Sequence, residues 1–228
     1  MGMLLIAIAY LVYAAFWVRL SLHTLIWYRA ARDRGTRHPG VSGGRLLAAS
    51  TALIDIIFFR RLFSSSKLLW YGSWAFHAAF LLVVLRHLRY FLEPVPECIS
   101  DLQIFGIVAG YVLVPALAYT ALLRTLPGRR YVFYQNYLVL GLLFLIGATG
   151  LLMRNFFRPD LVDVKSFIMG LVAFRPVAPP GNLLFIVHFS LVLLLVPYLP
   201  FHIFTAPVIA IEARRRQQGL DMVMHDKR

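Results

Sequence analysis

Four histidines lie in stretches where a polar ring is out of place. His77 and His87 are in "FHAAFLLVVLRHLRYFLEP", residues 76–94, and His188 and His202 are in "HFSLVLLLVPYLPFHIFTAP", residues 188–207. Both stretches are otherwise apolar enough to cross a membrane, where an imidazole is costly unless something satisfies it. Neutral imidazole is a metal ligand, and two imidazoles facing each other in a bundle core can hold a b-type haem. Ten residues of helix rise roughly 15 Å and fourteen roughly 21 Å. Fourteen residues return a side chain to within about 40° of its starting direction, and ten leave an offset of about 80°. If the two stretches run antiparallel, His77 shares an inner level with His202, and His87 an outer level with His188. Each level then holds two imidazoles from different helices, the arrangement that two haem b groups stacked across a bilayer require. A lone histidine in a span more often hydrogen-bonds a neighbouring helix than binds metal. Four of them at matched depths favour the ligand reading.

The elements that must position these residues are membrane spans. The chain has 228 residues, of which 60% are hydrophobic and only 14% charged, with a mean hydropathy of +0.74. That profile is not that of a soluble globular domain; it fits an all-α, multi-pass membrane protein with short loops. Five apolar stretches, near 3–28, 68–92, 102–123, 132–153 and 182–207, can each cross about 30 Å of hydrocarbon, which takes roughly 20 helical residues. The whole of 1–228 reads as one membrane domain, without internal repeats, low-complexity runs or a soluble domain. The first span lacks a basic leader and is followed directly by Arg29, Arg32 and Arg34, the pattern of an uncleaved anchor.

Charge orients the bundle. Basic residues outnumber acidic ones 23 to 10, for a formal charge of +13. In a soluble chain that excess would suggest nucleic acid. Here the loops carry most of it, so anionic lipid is the expected partner and nucleic acid is not. Segment 29–67 carries eight Lys and Arg, loop 124–130 three, and the tail after 208 five, including Arg214, Arg215 and Arg216. Loop 93–101 carries none, and the longer connection 154–181 carries four. The positive-inside rule then predicts five spans, N-terminus out and C-terminus in. Within the first inner segment, "RGTRHPGVSGG" reads as a flexible loop. Residues 45–62 read as an interfacial helix ending at Arg60 and Arg61.

Other polar residues fit a haem-bearing bundle. Arg19 lies at about the depth of His77, where a haem propionate or the inner membrane surface could hold it. Arg86 and Arg89 flank His87 and are candidates for propionates of the outer haem. Arg89, Glu93 and Gln103 are polar groups at the same depth, candidates for contacts with a ligand beside the outer haem. His38 and His225 lie in polar segments and read as solvated, and His23 as interfacial. Pro197 and Pro200 are expected to kink the fifth span between its histidines. The single cysteine, Cys98, cannot ligate an iron–sulfur cluster or close an internal disulfide. There is no C-x-x-C-H for covalent haem, so a redox role must rest on histidine-held cofactors.

The stretch at 76–94 resembles the second helix of the membrane γ subunit of respiratory nitrate reductase: F-H, a histidine ten residues on, then an apolar-x-Pro end. The stretch at 188–207 resembles that family's fifth helix, a histidine, an apolar run, Pro-Phe, then H-I-x-[ST]-A-P. "WYRAA" at the end of the first span and the basic segment after Pro207 are similar too. The resemblance implies a five-helix dihaem cytochrome b that exchanges electrons with a quinone, menaquinone or ubiquinone, near the outer haem. It further implies a cytoplasmic iron–sulfur subunit as electron partner, in the cytoplasmic membrane of a prokaryote. His87 and His188 match the outer-haem ligands, and His77 and His202 the inner-haem ligands. Two departures stand out. The fifth-span histidines are closer by about one helical turn, and the inner loop is longer and carries "DIIFFRRLF". The second feature is more similar to the related cytochromes of sulfur metabolism, those associated with dissimilatory sulfite reductase and with heterodisulfide-reductase-like subunits.

The expected function is therefore an electron-transfer subunit of an oxidoreductase complex, in sulfur metabolism or, alternatively, as a nitrate reductase γ subunit. A bc-type cytochrome would space both histidine pairs thirteen or fourteen apart, which the ten-residue gap opposes. A transporter with pore histidines or a haem-free membrane anchor are the alternatives of another class.

Overall fold

The computed structural model describes residues 2–35, 50, 53–125 and 134–200, and every regular element among them is helical. Four helices are long and apolar enough to cross a membrane: α1 (Gly2–Gly35), α2 (Lys67–His87), α3 (Gln103–Thr125) and α4 (Tyr134–Asn155). They match the expected spans 3–28, 68–92, 102–123 and 132–153 to within a few residues. Two shorter helices follow, α5 (Leu161–Val172) and α6 (Leu183–Leu195). The expected fifth span, 182–207, begins as α6 and continues through a 3₁₀ turn at Val196–Tyr198; its residues 201–207, including His202, lie outside the described residues. So do the tail after 208 with Arg214, Arg215 and Arg216, the loop residues Arg129 and Arg130, and "TRHPGVSGG" of the first inner segment.

The chain divides into two compact units, one comprising Met1–Tyr13 and Leu68–Val196, the other Ala14–Lys67 and Pro197–Arg228. In the first unit α4 packs closely against both α3 and α6. Small residues permit the approach: a Cβ on Gly147 would lie 2.9 Å from Val114 Cγ2. Hydrogen bonds fasten the α3–α4 pair near both ends, Tyr137 OH to the Arg124 carbonyl at 3.0 Å and Tyr111 OH to Asn155 Oδ1 at 2.6 Å. Asn182 caps α6 by accepting from the Phe185 N–H at 3.0 Å, and its Nδ2 donates to the Phe157 carbonyl just beyond α4. One side chain thus satisfies a helix terminus and ties it to its neighbour.

Helix α2 ends in a 3₁₀ turn, Leu88–Tyr90, ahead of Pro94 and Pro96, which cannot continue a helix. It touches α3 at two glycines. A Cβ on Gly72 would fall 2.6 Å from Tyr119 Cδ1 and 2.7 Å from Thr120 Oγ1, and one on Gly106 would fall 2.8 Å from the Cβ and Cγ of Arg86. Such close approach is the usual role of small residues between membrane helices.

The connection 154–181 is more than a loop. It contains α5, whose twelve residues rise roughly 18 Å, too little to span a bilayer. Instead α5 buries one face. Phe167, with no exposed surface, Val164 and Ile168 pack with Leu5, Ile6 and Ala9 of α1 and with Phe185 and Leu193 of α6. Phe167 meets Phe185 and Phe189 edge-on, at 5.9 and 5.3 Å between ring centroids. Asp160 caps the start of α5, accepting from the Val162 N–H at 2.7 Å. The end is a Schellman turn: the Arg175 N–H reaches the Gly170 carbonyl at 2.8 Å, and the Phe174 N–H reaches that of Leu171 at 3.2 Å. Phe174 takes the left-handed conformation, φ 56°, at a cost of order 1 kcal/mol for a residue with a side chain. Its ring stacks on Tyr10 at 5.6 Å, a contact worth about as much.

In the second unit, residues 53–58 are helical and Phe59 breaks the helix with φ 48°. A further helix runs Arg60–Ser65. The expected interfacial helix at 45–62 is therefore two segments over its described part, and helix continues past Arg61 rather than ending there.

Candidate functional site

Three of the four histidines of interest fall among the described residues, all in the first unit. His77 and His87 sit on α2. In each, the ring nitrogen Nδ1 lies against the carbonyl one turn back, Ser73 O at 2.6 Å for His77 and Val83 O at 2.7 Å for His87. A carbonyl only accepts, so Nδ1 carries the proton and the ring lone pair is on Nε2. His87 is exposed and His77 half-buried.

His188 lies on the second turn of α6. Its Nδ1 is 2.9 Å from Thr149 Oγ1 on α4. The Thr149 hydroxyl is 2.8 Å from the Leu145 carbonyl and 3.0 Å from that of Ile146. Its single proton serves those carbonyls, so its oxygen accepts from His188 Nδ1–H. The close α4–α6 packing brings these two side chains together, and a Cβ on Gly150 would be in ordinary contact with the ring, 3.5 Å from His188 Cε1. His188 and His87 are near enough to act on each other electrostatically, from two different helices. The expected inner pair cannot be described in the same way, because His202 lies outside the described residues.

The remaining candidates each have identifiable neighbours. Arg86 is half-buried and donates from Nη1 to the Ile99 carbonyl at 3.1 Å, bracing the segment between α2 and α3. Arg89 donates from Nη2 to Tyr90 OH and sits over that ring, 4.6 Å from its centroid. Tyr90 in turn packs on the α1–α5–α6 core. Glu93 pairs with Lys165 of α5. Gln103 is exposed at the start of α3. In the second unit, Arg19 donates to the Pro197 carbonyl at 3.0 Å, within the 3₁₀ turn that Pro197 and Pro200 were expected to disturb.

The donor set fits a haem iron. Among the described residues no group of three or more His, Cys, Asp or Glu side chains comes together. Haem needs only two axial protein ligands. Imidazoles whose Nδ1–H is fixed by an acceptor present Nε2 for that purpose, the usual outer-shell arrangement of ligating histidines. Sequence reasoning missed Thr149, Lys165 and Tyr90. For Thr149 a signal exists, the small-residue run "GATG" at 147–150 with one hydroxyl inside an apolar span.

No family model matches this chain, and no solved structure matches it. Two curated relatives do. The Hdr-like menaquinol oxidoreductase cytochrome b-like subunit of Archaeoglobus profundus is 35% identical over 153 residues, covering 60% of this chain and 46% of that protein. The protein of the same name from Archaeoglobus fulgidus is 33% identical over 182 residues, covering 67% of this chain and 55% of the relative. The chain spans about half the length of the curated relatives it matches.

Proposed function

We propose that this chain is a dihaem cytochrome b subunit of a membrane redox complex, oxidising menaquinol and passing the electrons to a cytoplasmic iron–sulfur partner in sulfur metabolism. The observation that carries the reading is the His87–His188 pair: two imidazoles from different helices, each with Nδ1–H engaged and Nε2 left as the coordinating nitrogen. On this reading His87 and His188 hold the outer haem and His77 and His202 the inner one, in a five-span bundle with its N-terminus out and C-terminus in. When bound, the two haems supply one-electron carriers at two depths. The relatives' names support the cytochrome b and menaquinol parts, and they favour the Hdr-like branch over the nitrate reductase γ subunit. The four long apolar helices support a multi-pass protein, which we assign to the cytoplasmic membrane of a prokaryote.

Oxidation of menaquinol releases two electrons and two protons. The electrons leave for the partner one at a time, and the protons leave at the outer side. Arg89, Glu93 and Gln103 are the proposed quinone contacts. Arg19 and Arg86 each use one guanidinium N–H on a backbone carbonyl; a guanidinium has five, so donors remain for a propionate.

The test is the reduced-minus-oxidised spectrum of the purified chain with haem quantified per polypeptide. Two b haems are expected. Absence of a b-type signal would sink the central claim and favour a haem-free anchor or transporter, and one haem per chain would sink the pairing. His87→Ala and His188→Ala should each remove the same haem, and His77→Ala and His202→Ala the other.

A further inference from the structure

His77, His87 and His188 do not hold their Nδ1 protons in the same way. His77 and His87 give theirs to carbonyls of their own helix. His188 has its acceptors on a different helix, α4: the Thr149 side chain at 2.9 Å, with the Ile146 carbonyl beside it. The alternative polarity, with the hydroxyl donating to Nδ1, would leave Thr149 Oγ1 2.8 Å from the Leu145 carbonyl oxygen with no proton between them, a repulsive contact. With the hydroxyl donating to Leu145 and Ile146, the chain runs in one direction: imidazole N–H to hydroxyl, hydroxyl to carbonyl. Bonds in such a chain polarise one another, so a hydroxyl that is already donating is the better acceptor.

We propose that Thr149 is the positioning residue of His188, fixing its Nδ1–H tautomer and setting how strongly Nε2 donates to the iron it ligates. This rests on the haem reading above. An acceptor on Nδ1–H raises the basicity of a ligating imidazole, and a more basic ligand favours the oxidised iron. Loss of the hydroxyl should therefore raise the reduction potential of one haem, the one that His188→Ala removes, and leave the other unchanged.

The test uses the full chain in detergent, with Thr149→Val, Thr149→Ser and wild type compared by haem content and by potentiometric titration of both haems. Thr149→Val should retain two haems and shift the outer one by several-fold to tenfold in its redox equilibrium, where tenfold is about 59 mV for one electron. Thr149→Ser, which restores the hydroxyl, should return the potential to wild type. Selective loss of the outer haem in Thr149→Val with recovery in Thr149→Ser supports the same role. Two haems with unchanged potentials in Thr149→Val would overturn the proposal and leave the haem reading standing. Equal haem loss in both variants would overturn it too, assigning the position to α4–α6 packing. Absence of haem from the wild type would overturn the reading beneath it.

Discussion

Replacing Gly170 by alanine should destabilise the protein, against the usual trend. In a helix, glycine to alanine ordinarily stabilises by roughly 0.5–1 kcal/mol, because glycine loses more backbone freedom on folding. At Gly170 the added Cβ would land 2.8 Å from the Arg175 carbonyl oxygen and 3.0 Å from Val177 Cγ2. The first is backbone and cannot swing aside. Arg175 also donates its N–H to the Gly170 carbonyl, so relieving the overlap pulls on the turn that closes α5. Overpacking of this kind costs about 1–3 kcal/mol, and each hydrogen bond lost from the turn adds about 0.5–1.5 kcal/mol. The cost wins, and the net is about 1–2 kcal/mol of destabilisation. Gly141 on α4 is the matched control: nothing lies within 4 Å of its Cβ position, so Gly141→Ala should be neutral or stabilising. Unfolding of the two variants in one detergent, followed by circular dichroism across a denaturant titration, should separate them by about 1–3 kcal/mol. Equal stability of the two variants would refute the steric argument.

Three further outcomes follow from the packing. Phe167→Ala should cost about 3–5 kcal/mol, the range for emptying a fully buried aromatic site, and Phe167→Leu clearly less; the same unfolding titration reads both. Asn182→Ala removes the cap of α6 and its bond to the Phe157 carbonyl, for a loss of about 1–2 kcal/mol, and proteolysis of the 156–182 connection should accelerate. Gly106→Leu should displace the Arg86 stem and its bond to Ile99, exposing Cys98 and its neighbours to faster hydrogen exchange, whereas Arg86→Lys, which keeps an aliphatic stem, should alter that exchange less.

The long helices were legible because spanning a bilayer imposes a length and a composition on the chain itself. Lys67–His87 and Gln103–Thr125 announce themselves over twenty or so apolar residues. Helix α5 did not, since it is about half that length, too short to span, and its reason to exist is the face it buries on α6 and on α1, the latter far away in sequence. The histidines at 77, 87 and 188 were legible as polar residues in apolar runs, and His87 and His188 act on each other electrostatically from two helices. Thr149 was not, because a threonine in a membrane helix usually satisfies its own hydroxyl on the preceding turn. Thr149 does so as well, and its second use depends on which ring another helix delivers. For the charges near His87 the sequence suggests ligand contacts but not the protein partners they also take. In the structure Glu93 meets Lys165 of α5 and Arg86 meets Ile99, partners that depend on how the intervening segments fold.

The two kinds of histidine anchor differ in when they can form. At His77 and His87 the acceptor is one turn back on the same helix, so the ring is aligned as soon as α2 winds. At His188 the acceptor belongs to α4, and alignment waits until α6, the last described helix, has docked. In a chain synthesised from its N-terminus, α2 therefore emerges with its imidazoles already oriented. His188 acquires its orientation only when α6 packs on α4.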